Sequence, residues 1–235
     1  TDGDKVQKLI KELNPDVVIN CAVSDRSIVH IDGEDENRDA IVQGAINIAR
    51  SCNKAGCRSV FISTDLVFDG KKGDYSESDT PSPIMPYGRY KAEMEKELLA
   101  LDYNLAIVRT SLIISLDPVG HQVSWIVNSI KNKTELNLFI DEYRSPIFAD
   151  DLAKAILELA ETDFKGLINI AGPEAANRYE LGCKIANHFG LDTDLLKPVK
   201  AEELNLKRPL KCTLDSARVG NILSTNIRSL NKIFT

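Results

Sequence analysis

Several features are scarce in this 235-residue chain, and each scarcity excludes something. No apolar run approaches the roughly 18 residues of a membrane-spanning helix, and no secretory signal opens the sequence. Positive charge is not in excess. With 29 Lys and Arg against 35 Asp and Glu, the formal charge is −6 and the pI near 5.2. That balance argues against a general nucleic-acid or anionic-membrane binder. The five cysteines (Cys21, Cys52, Cys57, Cys183 and Cys212) are odd in number and lack paired C-x-x-C spacing. Reduced, buried thiols in a cytoplasmic protein are therefore expected. His30, His121 and His188 are scattered without ligand spacing, so no metal site is expected. The single tryptophan, Trp125, shares an apolar helix face with Ile126 and Ile130 and is expected in the core. None of the 13 glycines forms G-x-G-x-x-G or G-x-x-G-x-x-G, the pattern that lets a strand-to-helix turn approach a dinucleotide's pyrophosphate.

What is present is a clear alternation of elements. Hydrophobic residues make up 43% of the chain, ample for one large domain or one with a small second lobe. The spacing of Val6, Leu9, Ile10 and Leu13 predicts an amphipathic helix over 4–13, stopped by Asn14-Pro15. The continuous apolar run over 16–22 predicts a strand covered on both faces. A helix over about 36–54 is closed by Gly56, and a second buried strand follows over 59–64. Residues 70–86 are turn-rich and read as a loop. A helix over 87–101 and a third strand over 105–109 complete a β-α-β-α-β pattern, which argues for a parallel sheet with right-handed crossovers. Further on, the pattern predicts helices over 123–130, 150–159 and 179–189, strands over 138–140 and 166–171, and one or two short helices in 215–234. Asp150-Asp151 reads as a helix start with favourable dipole placement.

The chemistry centres on Tyr87 and Lys91. Four residues apart on a helix, they share a face, so phenol and ammonium can point into one site. A cation beside a phenol favours the phenolate and lowers its pKa toward working pH. Such a phenol suits carbonyl reduction as a proton donor, and Thr64 is available to hydrogen-bond the same oxygen. Glu93, Glu95, Lys96 and Glu97 on the same helix read as a solvated face. Arg109 at a strand end reads as a surface residue or a ligand contact. The first strand, if central in its sheet, has an unpaired edge of the kind soluble proteins avoid. More sheet is therefore expected from the natural polypeptide or a partner. Two strand-helix units would need on the order of 50–60 residues upstream.

The motifs Asp16-Val17-Val18-Ile19-Asn20-Cys21-Ala22, Ser63-Thr64-Asp65-Leu66-Val67-Phe68-Asp69-Gly70 and Tyr87-Gly88-x-x-Lys91 resemble, in order and spacing, those of extended short-chain dehydrogenases/reductases. The resemblance is to the branch of the dTDP-4-dehydrorhamnose reductases. Tyr75-Ser76-Glu77, Pro81 and Pro83, Arg109-Thr110-Ser111, Tyr143-Arg144-Ser145-Pro146, Asp150-Asp151-Leu152-Ala153 and Lys207-Arg208-Pro209 continue it. The resemblance implies an α/β fold: a Rossmann-type parallel sheet, N-terminally incomplete, with a small mixed substrate lobe. The cofactor domain would span 1–170 and the lobe 171–235, interleaved with about 115–135.

It further implies NADPH or NADH as cofactor and a nucleotide-sugar ketone as substrate. Tyr87 would protonate the carbonyl oxygen, Lys91 would hold the nicotinamide ribose, and Thr64 would polarise the carbonyl. Ala22, Val23 and Ser24 would line the cofactor, while Asp65 and Arg208 would contact substrate. Family analogy allows a homodimer. Leu66 stands where the family usually has tyrosine, Leu112 where it has tryptophan, and Gln43 where asparagine is common; the segment 25–39 also diverges. These departures keep a second reading open, a non-catalytic relative resembling the methionine adenosyltransferase β-subunit.

Overall fold

Residues 2–23 and 35–234 are described by the structure, a computed structural model. Helix α1 (Gly3–Leu13) opens where the Asp2 carboxylate accepts the Lys5 N–H at 3.1 Å. It closes at Asn14, whose φ of 43° turns the chain left-handed ahead of Pro15. Strands β1 (Val17–Asn20), β2 (Arg58–Thr64), β3 (Leu105–Thr110) and β8 (Gly166–Asn169) form one parallel sheet in the order β1-β2-β3-β8. This is the expected α/β architecture. Val60 and Val108 point to one face, against Ile156 and Leu159 of α6 (Ala149–Ala160). Phe61 and Ile107 point to the other, against Met94 and Leu98 of α4 (Pro86–Leu99). The alternation follows from the two-residue period of a strand. β1 sits at the sheet edge with every residue half-buried, and among the described residues no strand pairs with its outer side.

The helix expected over 36–54 is interrupted. It runs as α2 (Asp35–Arg38), a π-helical turn (Asp39–Gln43) and α3 (Gly44–Ala55). The wider turn buries both Ile41 and Val42, neighbours that a regular helix holds about 100° apart.

A second core lies beyond β3. The short β4 (Ile113–Ile114) pairs with β7 (Ile147–Phe148), and β6 (Tyr143–Arg144) pairs antiparallel with β9 (Ala176–Asn177). Around them, α5 (His121–Lys131), α7 (Arg178–His188), β5 (Leu136–Phe139) and β10 (Leu196–Val199) bury Val123, Leu138, Ile185 and Leu196. α7 begins with a full capping box between Asn177 and Glu180. The tail carries a 3-10 turn (Ala217–Asn221) and α8 (Leu230–Ile233). The cysteines are free, with Cys52, Cys57 and Cys212 buried and Cys21 exposed. Among the described residues no helix is long and apolar enough to cross a membrane.

Candidate active site

β2 delivers Thr64 to the carboxyl end of the sheet, where a 3-10 turn (Asp65–Val67) follows. Thr64 caps this turn by accepting the Leu66 N–H at 3.2 Å. After the loop, α4 starts at Pro86, whose missing N–H would be unpaired in a first helical turn anyway. Gly88 then presses directly on the turn: a Cβ there would lie 2.0 Å from the Leu66 carbonyl oxygen. That contact requires glycine and seats Tyr87 beside the turn. One helical turn on, Lys91 is the one lysine buried among the described residues. Its Nζ donates to the Ile62 carbonyl at 2.8 Å and lies 5.9 Å from the centre of the Tyr87 ring. Thr64, Asp65, Tyr87 and Lys91 are thus brought together.

The Tyr87 phenol does not move down, as expected of a tyrosine beside a lysine. Burial and then the Asp65 charge push the phenol up to about 12, against an opposing pull from Arg144. Burial also brings the Lys91 ammonium down to about 8, despite Glu95 and Cys21. For Tyr87, desolvation outweighs the pull of Arg144, because a phenolate removed from water loses more than one neighbouring cation restores. At neutral pH the phenol is therefore protonated.

Asp65 is fully buried and faces protein rather than open space. Its carboxylate accepts from Ser111 Oγ at 2.5 Å, Thr64 Oγ1 at 3.1 Å and Arg144 Nε at 2.5 Å, with a second prong from Arg144 Nη2. The Asp65 carboxylate, expected to contact substrate, is thus engaged by four protein donors. Arg144 Nη1 lies 3.8 Å from Glu142, which also holds Arg178 Nε at 2.9 Å and Arg208 Nε at 2.5 Å. Surrounded by three guanidiniums, the Glu142 carboxyl falls to about 2 although its burial opposes the change.

Arg208 is in the second core's neighbourhood, stacked 5.2 Å from Phe139. With Arg178, Phe139 and Trp125 it lines a cavity of about 290 Å³ between α5, α7 and β5. Trp125 is 44% exposed there; Ile126 and Ile130 take the buried positions expected for all three. Ala22 and Val23 are exposed at the carboxyl end of β1, and Ser24 lies outside the described residues. Two other expectations fail together. Glu95 belongs to no solvated face, and Arg109 is not at the surface. Both are buried and paired, Nη2 to Oε2 at 2.7 Å, with Ser63 Oγ donating to Glu95 at 2.5 Å. Glu93 pairs with Arg38.

Ser111, Glu142, Arg144 and Arg178 are the site residues that sequence reasoning missed. Arg144 was legible within a motif, but its partner Asp65 lies 79 positions away. No local spacing signals such a pairing.

The side chains at this end of the sheet have the chemistry to hold a nicotinamide and its ribose. The buried Lys91 lies within electrostatic reach of Cys21, next to the exposed apolar surface of Ala22 and Val23. The pyrophosphate finds no glycine-lined strand-to-helix turn among the described residues. Gly70 and Gly73, at positive φ, are instead packed on the Pro209–Leu210 backbone and on Thr213. No cluster of metal-ligating groups occurs among the described residues.

Comparison with known proteins agrees with this architecture. Methionine adenosyltransferase 2 subunit beta of Rattus norvegicus is 28% identical over 231 residues, covering 94% of this chain and 69% of that protein. The probable low-salt glycan biosynthesis reductase Agl14 of Haloferax volcanii is 30% identical over 233 residues, covering 93% of this chain and 75% of that protein. The crystal structure of dTDP-4-dehydrorhamnose reductase from Bacillus anthracis in complex with NADP superposes with a TM-score of 0.86 at 26% identity, covering 99% of this chain and 83% of that one. The fold is that of NAD(P)-binding Rossmann-type reductases. Residues 1–233 match the RmlD substrate binding domain, and the chain belongs to that family.

Proposed function

We propose that this chain carries the catalytic site of an NAD(P)H-dependent reductase acting on a keto-sugar nucleotide. The observation that carries the proposal is the convergence of Thr64, Tyr87 and Lys91 at the carboxyl end of the parallel sheet. A bound reduced nicotinamide supplies the hydride. Tyr87, fully protonated at neutral pH, donates its phenolic proton to the carbonyl oxygen as negative charge develops there. Lys91 fixes the nicotinamide ribose from its buried position and offers an ammonium that stabilises the phenolate left behind. Thr64 hydrogen-bonds the same carbonyl oxygen by turning its hydroxyl hydrogen away from Asp65. Ala22 and Val23, with Ser24 from the sequence, line the cofactor. Arg208 and Arg178 present positive charge to the diphosphate of the substrate, while Trp125 and Phe139 offer flat apolar faces. Asp65 acts here through the protein groups it binds.

A second reading, a regulatory subunit without turnover, is favoured by the saturated Asp65 and by the likeness to methionine adenosyltransferase 2 subunit beta. Two measurements separate the readings. Calorimetric titration with NADPH and NADH is run on this chain and on an upstream-extended form, followed by cofactor oxidation with dTDP-4-dehydro sugars. Turnover that falls roughly 10²–10⁴-fold in Tyr87→Phe supports the reductase. Absence of cofactor binding in both forms sinks it.

A further inference from the structure

Arg144 is almost fully buried, yet the proposed chemistry gives it no direct task. It stands between two buried carboxylates, gripping Asp65 with Nε and Nη2 while Nη1 faces Glu142 at 3.8 Å. Burying such charges is rarely the cheapest route to stability, because well-packed apolar side chains of similar volume often do as well or better. What this arrangement supplies is geometry. Asp65 takes the hydrogen of the Thr64 hydroxyl at 3.1 Å, while the same hydroxyl oxygen accepts the Leu66 N–H. Ser111 donates to Asp65 from β3's end, and Ser145, next to Arg144, donates its own N–H to Ser111 Oγ at 3.1 Å. Arg144, Asp65, Ser111 and Thr64 therefore form one closed hydrogen-bonded unit against the 3-10 turn that seats Tyr87.

We propose that Arg144 is a positioning residue of this site: its two-pronged grip fixes Asp65, and through Asp65 sets the direction of the Thr64 hydroxyl and the charge felt by the Tyr87 phenol. The purpose of this device rests on the reductase reading, but its geometry does not. The charged groups around Tyr87 are Asp65 on the 3-10 turn, Arg144 on β6 and Lys91 on its own helix, with Glu142 and Glu95 behind them. Without the guanidinium, the Asp65 charge would act on the phenol uncompensated and would hold the Thr64 hydrogen more tightly.

The test needs no turnover, so it fails or succeeds independently of the reductase reading. The full chain is labelled with ¹³Cζ-tyrosine, the Tyr87 resonance is assigned with Tyr87→Phe, and alkaline titrations are run on folded protein. Asp65→Asn lowers the Tyr87 titration by about one pH unit or more, because the larger charge that raises it is gone. In the double variant Asp65→Asn/Arg144→Met the titration moves back up by several tenths of a unit, roughly, since the opposing cation is also gone. Removing the same guanidinium with Asp65 kept (Arg144→Met) moves the titration by a different amount, and equal movements in the two backgrounds would overturn the proposal, because Arg144 would then act on the phenol directly and not through Asp65. Should Asp65→Asn not fold, the neutral-pH Tyr87 shift in Arg144→Lys decides. It moves if the two-pronged grip matters and stays at the wild-type position if Arg144 only fills space.

Discussion

Gly88→Ala isolates the contact on which the site is built. In isolation the change favours a helix by up to about 1 kcal/mol, since glycine loses more backbone freedom than alanine. The structure opposes it. The new Cβ would stand 2.0 Å from the Leu66 carbonyl oxygen, 2.9 Å from its carbon and 3.1 Å from Pro83 Cβ, whereas real Cβ contacts essentially never fall below 3.0 Å. The start of α4 must retreat by about 1 Å, because the obstacle is backbone of a turn pinned by Thr64 and cannot rotate aside. Overpacking of this kind costs about 1–3 kcal/mol or more. With the helix gain subtracted, the expected loss is about 1–2 kcal/mol, read from urea unfolding followed by circular dichroism. Under the reductase proposal, a displacement of about 1 Å at Tyr87 also lowers kcat on the order of 10²-fold. Gly220→Ala is the control: its φ is not positive and nothing lies within 4 Å of the added atom. It should be neutral or slightly stabilising. A Gly88→Ala protein as stable as wild type would refute the reasoning.

Two further outcomes test the buried charges. The Glu142 carboxyl sits at about 2 in the folded chain against an ordinary 4.5, so the folded state binds its proton less readily than the unfolded chain. Its contribution, roughly 3 kcal/mol, is present above pH 4.5 and is lost as pH falls toward 2. Acid unfolding of Glu142→Gln should show a flatter stability slope across that window, and an unchanged slope would contradict the assignment. Glu95→Gln leaves Arg109 buried without its counter-charge and should cost about 3–5 kcal/mol, whereas Glu95→Leu/Arg109→Met should recover most of the loss. A single variant as stable as the double would show that the pair is not energetically coupled.

Much of this architecture was legible locally. A strand covered on both faces reads as an unbroken apolar run, so β1, β2 and β3 were found within a few residues, and Asn14-Pro15 marked the end of α1. The four-residue spacing of Tyr87 and Lys91 put both on one helix, and the motif around Gly88 pointed to the same place. Local pattern failed where the deciding partner was distant. Glu95 sits among charged neighbours and reads as solvated, yet Arg109 on β3 draws it inside. Trp125 reads as core, yet its helix turns it toward a cavity whose other walls come from β5 and α7. The interruption at 39–43 left the apolar pattern of a helix unchanged, since a π turn keeps the same residue types.

The order of strands and helices, and the presence of a phenol with a neighbouring ammonium, follow from residue periodicity and spacing, which are properties of the chain itself. The direction in which that phenol's pKa moves does not. It depends on how much water reaches Tyr87 and on the nearby charges of Asp65 and Arg144, the second of these brought in from far along the chain. Only the closed fold supplies both. Desolvation and long-range pairing are set by three-dimensional packing, which is why the sequence reading placed Tyr87 and Lys91 on one helix but did not anticipate that burial and Asp65 raise the phenol.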